Sequence, residues 1–326
     1  MSQPYAFSFS ESLMAENAGV SLKSTHFDVD AILKAYDGVK PLADELGVDA
    51  PKPRLAGFCY PHIVSLGAPI EFAEDGEPNI FPLIHTPAEI DHLKEPDDYL
   101  AAPLIQQRLK ICEELVRRRN DAVPKFIGHL LEGPITTAVL LFGQDFLTLP
   151  YDDPKRAHHL LNFCTESALH YIAALHRHFY GDAPVEPGPC GIPDDFAGML
   201  PPEIFGEFVV PYWNRLYEGL KATERHLHSE LLREVHLPFL RDLNISYFDP
   251  SADQYVTPEL LARSCPCPFR SCIQAWDLRD LTAEQLEKLY RKIAASKPYV
   301  IAFHMSKLAW LSKIKHLLKL ARALEK

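Results

Sequence analysis

The clearest rhythm in this chain lies in its last hundred residues, where apolar runs of strand length alternate with segments of helical spacing. "ATERHLH" (222–228) reads as a strand, and "SELLREVHLPFLRDL" (229–243) has the three-and-four spacing of a helix with one buried face. "NISYFDP" (244–250) is a strand ending at Asp249. "TPELLARS" (257–264) is a short helix with Thr257 as N-cap and Pro258 at its first position. "RSCIQAWD" (270–277) reads as a strand ending at Asp277, and "TAEQLEKLYRKIAAS" (282–296) as a helix opened by Thr282. "PYVIAFH" (298–304) is a strand, and "SKLAWLSKIKHLLKLARALEK" (306–326) an amphipathic C-terminal helix.

Upstream the same alternation is looser. "KFIGHLLEGP" (125–134) predicts a strand and turn, "ITTAVLLFG" (135–143) the helix after it, and "PEIFGEFVVPYWNRLYEGLKA" (202–222) one long helix. Residues 1–50 are polar and mixed, carry short helical patterns such as "DVDAILKAYDGVKPLADELG" (28–47), and close on the Pro-rich joint "DAPKPR" (49–54). They read as an N-terminal helical extension packed outside a main domain of residues 51–326. Alternating strand and helix implies βαβ units and a parallel sheet. Seven or eight such units in about 270 residues predict an α/β fold of the (β/α)8 barrel type. A doubly wound sheet lacks its GxGxxG fingerprint here.

In a barrel the active site gathers at the C-terminal ends of the strands. That rule selects Asp194, Asp195, His226, His228, Asp249, Asp277 and His304. His226 and His228 stand two apart on one strand, so both imidazoles face the same side. His304 ends another strand. Together they outline a metal or anion site at the barrel mouth. Asp195 and Asp194, in "PDDFAG", are the candidate catalytic carboxylates, although that string is also ordinary turn chemistry.

Composition narrows the function. The formal charge of −11 argues against nucleic acid and against anionic membrane surfaces. No apolar stretch reaches the ~18 residues of a spanning helix, and no signal-peptide pattern opens the chain. A soluble, cytoplasmic protein acting on a small molecule is the expectation. Seven cysteines in 326 residues do not suggest a disulfide scaffold. Cys265, Cys267 and Cys272 cluster in "SCPCPFRSC", which reads as a loose loop more readily than as a second metal site.

"EGPITTAVLLFG", "DDFAGMLPPEIFGEFVVPYWNRL" and "HLHSELLREVHLPFLRDLNISYFDP" resemble the uroporphyrinogen decarboxylase superfamily, which also holds methyltransferases that move methyl groups from corrinoid proteins to thiols such as coenzyme M. The resemblance runs from about residue 50 to the C-terminus, with "AGMLPPEIFGEFVVPY" its most specific part. It implies a (β/α)8 barrel. The decarboxylases' Arg-rich motif has only Arg54 to answer it, and their substrate-contacting Asp, Tyr and Ser fall at Phe58, Leu140 and Asp195. These departures turn the resemblance toward the methyltransferase branch.

That branch binds zinc through His-x-Cys and a later Cys. The matching positions here are His226, His228 and His304. The resemblance therefore implies a divalent metal, zinc first, held by three histidines with an open position. Such a site favours polarising an oxygen over activating a thiolate. The implied partners are a small substrate and a corrinoid protein docked at the mouth. Phe303, Met305 and Trp276 replace residues that flank the family's site and are expected, with Asp249, to shape a small apolar substrate pocket. The expected activity is transfer of a methyl or similar group to a small thiol or oxygen. The alternatives are a metal-dependent lyase or decarboxylase of a small carboxylate, and a non-catalytic metal- or corrinoid-binding protein.

Overall fold

The computed structural model describes residues 3–58, 60–123 and 131–325. Eight strands occur among them: β1 (Tyr5–Phe9), β2 (Ile70–Glu71), β3 (Asn79–Ile80), β4 (Gly188–Pro193), β5 (Ala222–His228), β6 (Ile245–Asp249), β7 (Arg270–Ile273) and β8 (Val300–Met305). β2 and β3 form a separate antiparallel ribbon. The other six are parallel and fall into two sheets, β1-β8-β7 and β4-β5-β6. An isolated parallel bridge between Phe248 and Phe269 joins β6 to β7. The strands thus follow one another in a single arc, β1-β8-β7-β6-β5-β4.

Side-chain alternation gives the arc two faces. Ile192, Leu227, Phe248, Ile273, Phe303 and Met305 are at most 1% exposed and pack among helices. Their neighbours Gly191, Pro193, His226, His228, Tyr247, Asp249 and Arg270 instead line a hollow on the inner face. The helix around 283–295 is opened by Thr282, whose side chain accepts from Gln285 N–H, and the helix 258–264 by Thr257, as their N-cap patterns predict.

Several elements depart from the sequence reading. Residues 1–50 are not wholly an outside extension, because Tyr5–Phe9 pairs in register with Ile301–Met305. Tyr5, Phe7 and Phe9 alternate with small residues, and Tyr5 and Phe7 pack on Phe303. The long helix expected at 202–222 is two, 202–208 and 210–219, broken where Pro211 withholds an N–H. The segment 229–243 contributes a 3₁₀ turn at 234–236 and a short helix at 237–242, since Leu231 sits at φ 63°, outside any helix. β7 stops at Ile273, and Asp277 lies in the following helix, where its carboxylate accepts the Gln274 N–H in a capping box. The predicted strand at 125–130 lies outside the described residues.

Candidate active site

β5 supplies the first two residues. His226 and His228 face the inner hollow, with Leu227 between them buried in the helical layer. The rim above them is built by the turn after β4. Asp194 N–H donates to His228 O, 2.9 Å away, and the Ser229 hydroxyl donates to Asp194 O at 2.8 Å. The turn then runs through a 3₁₀ segment, Asp195–Met199. Gly198 packs so closely on the backbone of Leu231 and Leu232 that an added Cβ would fall within 3.0 Å of it. That approach holds Asp195 over β5. Its Oδ1 accepts the Glu230 N–H at 3.2 Å and stands 3.5 Å from His228 Nε2.

The other ring nitrogen of His228, Nδ1, lies 3.4 Å from Asp249 Oδ2. The same oxygen accepts from the Arg270 guanidinium at 2.8 Å, while Asp249 Oδ1 accepts the Ser251 N–H. Arg270, Asp249, His228 and Asp195 therefore form a line of alternating charge. Burial opposes charge on His228, but the Asp249 hydrogen bond and the charges of Asp195, Asp249 and Glu230 outweigh it and raise its pKa above the ordinary imidazole value. Burial likewise works against ionised Asp249, yet His228 and Arg270 hold its pKa below the usual carboxylate range. Asp195 goes the other way. Burial, helped by Glu230 and Asp249, raises it, with His228 only partly compensating. The line has a strong cation at one end and a protonatable carboxyl at the other.

This line borders a cavity of about 260 Å³ lined by Gly191, Pro193, His226, His228, Tyr247, Asp249 and Arg270. Arg270 has no place among the sequence candidates. It opens β7 instead of closing it, but the bridge Phe248–Phe269 sets the start of β7 beside the end of β6.

Asp194 is not in the pocket. It is 0% exposed and accepts from Trp213 Nε1–H at 2.6 Å, Thr136 N–H at 2.6 Å and Ile135 N–H at 3.2 Å. Burial pushes its pKa up to about 6 despite these donors. Gly133 lies against it, where a Cβ would strike the carboxylate. Asp194 is a positioning residue that ties the 133–136 turn to the end of β4.

Phe303 and Met305 do not narrow the mouth. Both are 0% exposed, and Phe303 packs on Tyr5, Phe7 and Tyr290, because the residues beside inward-facing His304 must point outward. Trp276 is 48% exposed and lines a different cavity, beyond β6. His304 contacts the Ser8 hydroxyl through Nδ1 at 2.5 Å, and burial together with the Arg270 charge lowers its pKa.

The expected tris-histidine metal set is not assembled. Among the described residues, no group of three His, Cys, Asp or Glu side chains is placed to hold a metal ion. His228 lies between two carboxylates, Asp195 and Asp249, which favour the protonated ring over the neutral one that a metal requires. The donors as arranged do not fit the zinc site that the resemblance implies. Nor do the clustered cysteines build one. Cys265 and Cys267 have sulfurs 3.8 Å apart, and Cys272 lies on β7 against Arg270 with its pKa pushed up to about 11 by burial.

The family model described as uroporphyrinogen decarboxylase (URO-D) matches residues 43–260. Among solved structures, a methyltransferase from Methanosarcina mazei superposes with a TM-score of 0.69 at 13% sequence identity, covering 100% of this chain and 94% of that one. At that identity the likeness is one of fold. No curated protein matches the sequence. No helix among the described residues is long and apolar enough to cross a membrane.

Proposed function

The chain belongs to the uroporphyrinogen decarboxylase family, and from that premise we propose that it is a cytoplasmic enzyme acting on a small carboxylic acid inside a closed (β/α)8 barrel. The reaction is decarboxylation or a related lyase step. The observation that carries this reading is the charge line Arg270–Asp249–His228–Asp195 along the inner cavity.

Two cations, Arg270 and protonated His228, face a pocket too small for a tetrapyrrole. They suit a substrate with one carboxylate and a nearby oxygen. His228 Nε2 stands 3.5 Å from Asp195 Oδ1, and the ring lines the cavity that the substrate would enter. On cleavage of the carbon–carboxylate bond, carbon dioxide leaves and the electron pair stays on carbon. The Nε2 proton of His228 quenches that carbanion, and a solvent proton, relayed by Asp195, restores the imidazolium. Asp249 holds the ring and stabilises its cationic form, while Arg270 holds Asp249 ionised.

A second reading is methyl transfer from a corrinoid protein or small donor to a small thiol or oxygen acceptor. The Methanosarcina mazei neighbour, a methyltransferase, supports it, as does the presence of two imidazoles on one inward face of β5. A divalent metal, zinc first, would serve this reading only if His226, His228 and His304 converged and His228 left its carboxylates.

The test is turnover of a panel of small 3-oxo acids in deuterated water, followed by proton NMR. The expected result is a product deuterated at the carbon that bore the carboxylate, absent in His228→Gln. Turnover by His228→Gln at the wild-type rate overturns the assignment. Consumption only in the presence of a methyl-corrinoid selects the second reading.

A further inference from the structure

The inner cavity is not the only space that Arg270 borders. β6 ends at Asp249, whereas β7 runs on to Ile273, and the two are joined only at Phe248–Phe269. Beyond that bridge the edge of β7 has no β6 partner among the described residues. A second cavity of about 240 Å³ occupies the notch. Arg270 is common to both cavities.

The walls of this second space differ from those of the first. Leu261, Leu289 and Ile293 form an apolar side, and Trp276, 48% exposed, lines the same space. Three buried atoms of its lining residues have no partner: the donors Nε of Arg270 and the hydroxyl of Ser271, and Oδ2 of Asp253. The Arg270 guanidinium gives a terminal N–H to Asp249, while its Nε–H is buried without a protein acceptor in a residue that borders both cavities. A buried polar group left unpaired costs about 1–3 kcal/mol, so an acceptor that meets both donors is favoured there.

We propose that the substrate spans Arg270, with its reacting carboxylate in the inner cavity and an apolar, flat body in the notch beside Trp276 that ends in a second acceptor group for Arg270 Nε and Ser271. This rests on the carboxylate reading above and names its substrate class: an aryl or alkyl acid carrying two acceptor groups at opposite ends. Trp276 is then a specificity residue outside the chemistry, which acts on affinity for the body of the substrate alone.

The experiment compares two probes, propanoate and 3-(4-carboxyphenyl)propanoate, by isothermal titration with the full-length protein. The expected result is at least tenfold tighter binding of the long probe. Trp276→Ala should weaken the long probe at least tenfold more than the short one. Ile293→Trp, which fills the notch from the helix side, should do the same, and Arg270→Gln should weaken both probes. Melting curves check that each variant folds. Equal affinity for the two probes, with both still dependent on Arg270, overturns the spanning substrate and leaves the carboxylate reading standing. Binding of neither probe in an Arg270-dependent way overturns both.

Discussion

Asp249 Oδ2 lies 3.4 Å from His228 Nδ1, on strands that pair in register at these two residues. The carboxylate raises the imidazole pKa by favouring its charged form. The active form in the proposed mechanism is protonated, so activity is full below the raised pKa and is lost as pH rises through it. Asp249→Asn removes the anion and should move the alkaline limb of kcat/KM to lower pH. At pH 8 the loss should reach roughly tenfold for each unit that the limb moves. The pH profile of the variant against wild type checks this, and an unmoved limb would show that His228 does not supply the proton.

Arg270→Lys keeps the charge but loses the planar fork that serves Asp249 and the notch. It should raise KM by about tenfold, the effect of one lost charge-assisted contact, and change kcat less. Steady-state kinetics separate the two. A collapse of kcat with KM untouched would move Arg270 from substrate holding into the chemistry.

Zinc provides a direct check on the unassembled histidines. With His228 flanked by two carboxylates and His304 engaged with Ser8, the purified protein should carry well under one zinc per chain, and His226→Ala with His228→Ala should not change that figure. Elemental analysis by plasma mass spectrometry decides. One zinc per chain, lost in the double variant, would mean that the three rings converge in solution and would favour methyl transfer.

Two strands of the candidate site are legible in the sequence, and the departures elsewhere have physical causes. The strand containing His226 and His228 and the strand ending at Asp249 are both found where their apolar spacing puts them. Arg270 escaped because the rule that favours strand C-termini discards a residue that opens a strand. Stagger between parallel strands sets the start of β7 beside the end of β6, and sequence does not encode stagger locally. A charge within a short strand was still a signal, since it must find a carboxylate. Phe303 and Met305 were misassigned against the alternation rule itself: if His304 faces inward, its neighbours face outward. The strand Tyr5–Phe9 announces itself in its alternation of aromatic and small residues, and was missed only because it stands apart from the regular repeats.

Asp194 sets a pH dependence of stability distinct from that of catalysis. Its folded pKa is raised by burial to about 6, from an ordinary 3.8. A carboxyl raised in this way adds stability that is fully present below the unfolded value and is lost as pH rises through the folded one. Over the window from about 4 to about 6 the contribution amounts to roughly 3 kcal/mol. Wild type should therefore gain thermal stability as pH falls from 7.5 to 5.5, and Asp194→Asn should lose that dependence. The variant should also be less stable by about 1–3 kcal/mol, because an amide nitrogen now faces one of the three buried donors. Thermal melts of both proteins across this range test the assignment, and a parallel pH response in the two would remove Asp194 as its source.

Gly198 makes the sharpest structural prediction. A Cβ there would meet the backbone of Leu231 and Leu232 within 3.0 Å, and neither strand of chain can yield freely. Leu231 is already held at φ 63°, a left-handed conformation that costs a branched residue on the order of 1 kcal/mol. Gly198→Ala should separate the 195–199 turn from the end of β5 and draw Asp195 away from His228. The expected outcome is a folded protein destabilised by about 1–3 kcal/mol, the usual range for overpacking, with activity reduced far more than Asp195→Asn alone would explain, since the Glu230 N–H also loses its acceptor. Urea denaturation and turnover measured on the same preparation check both halves. A Gly198→Ala protein as active as wild type would show that the close approach of these two turns does not position Asp195.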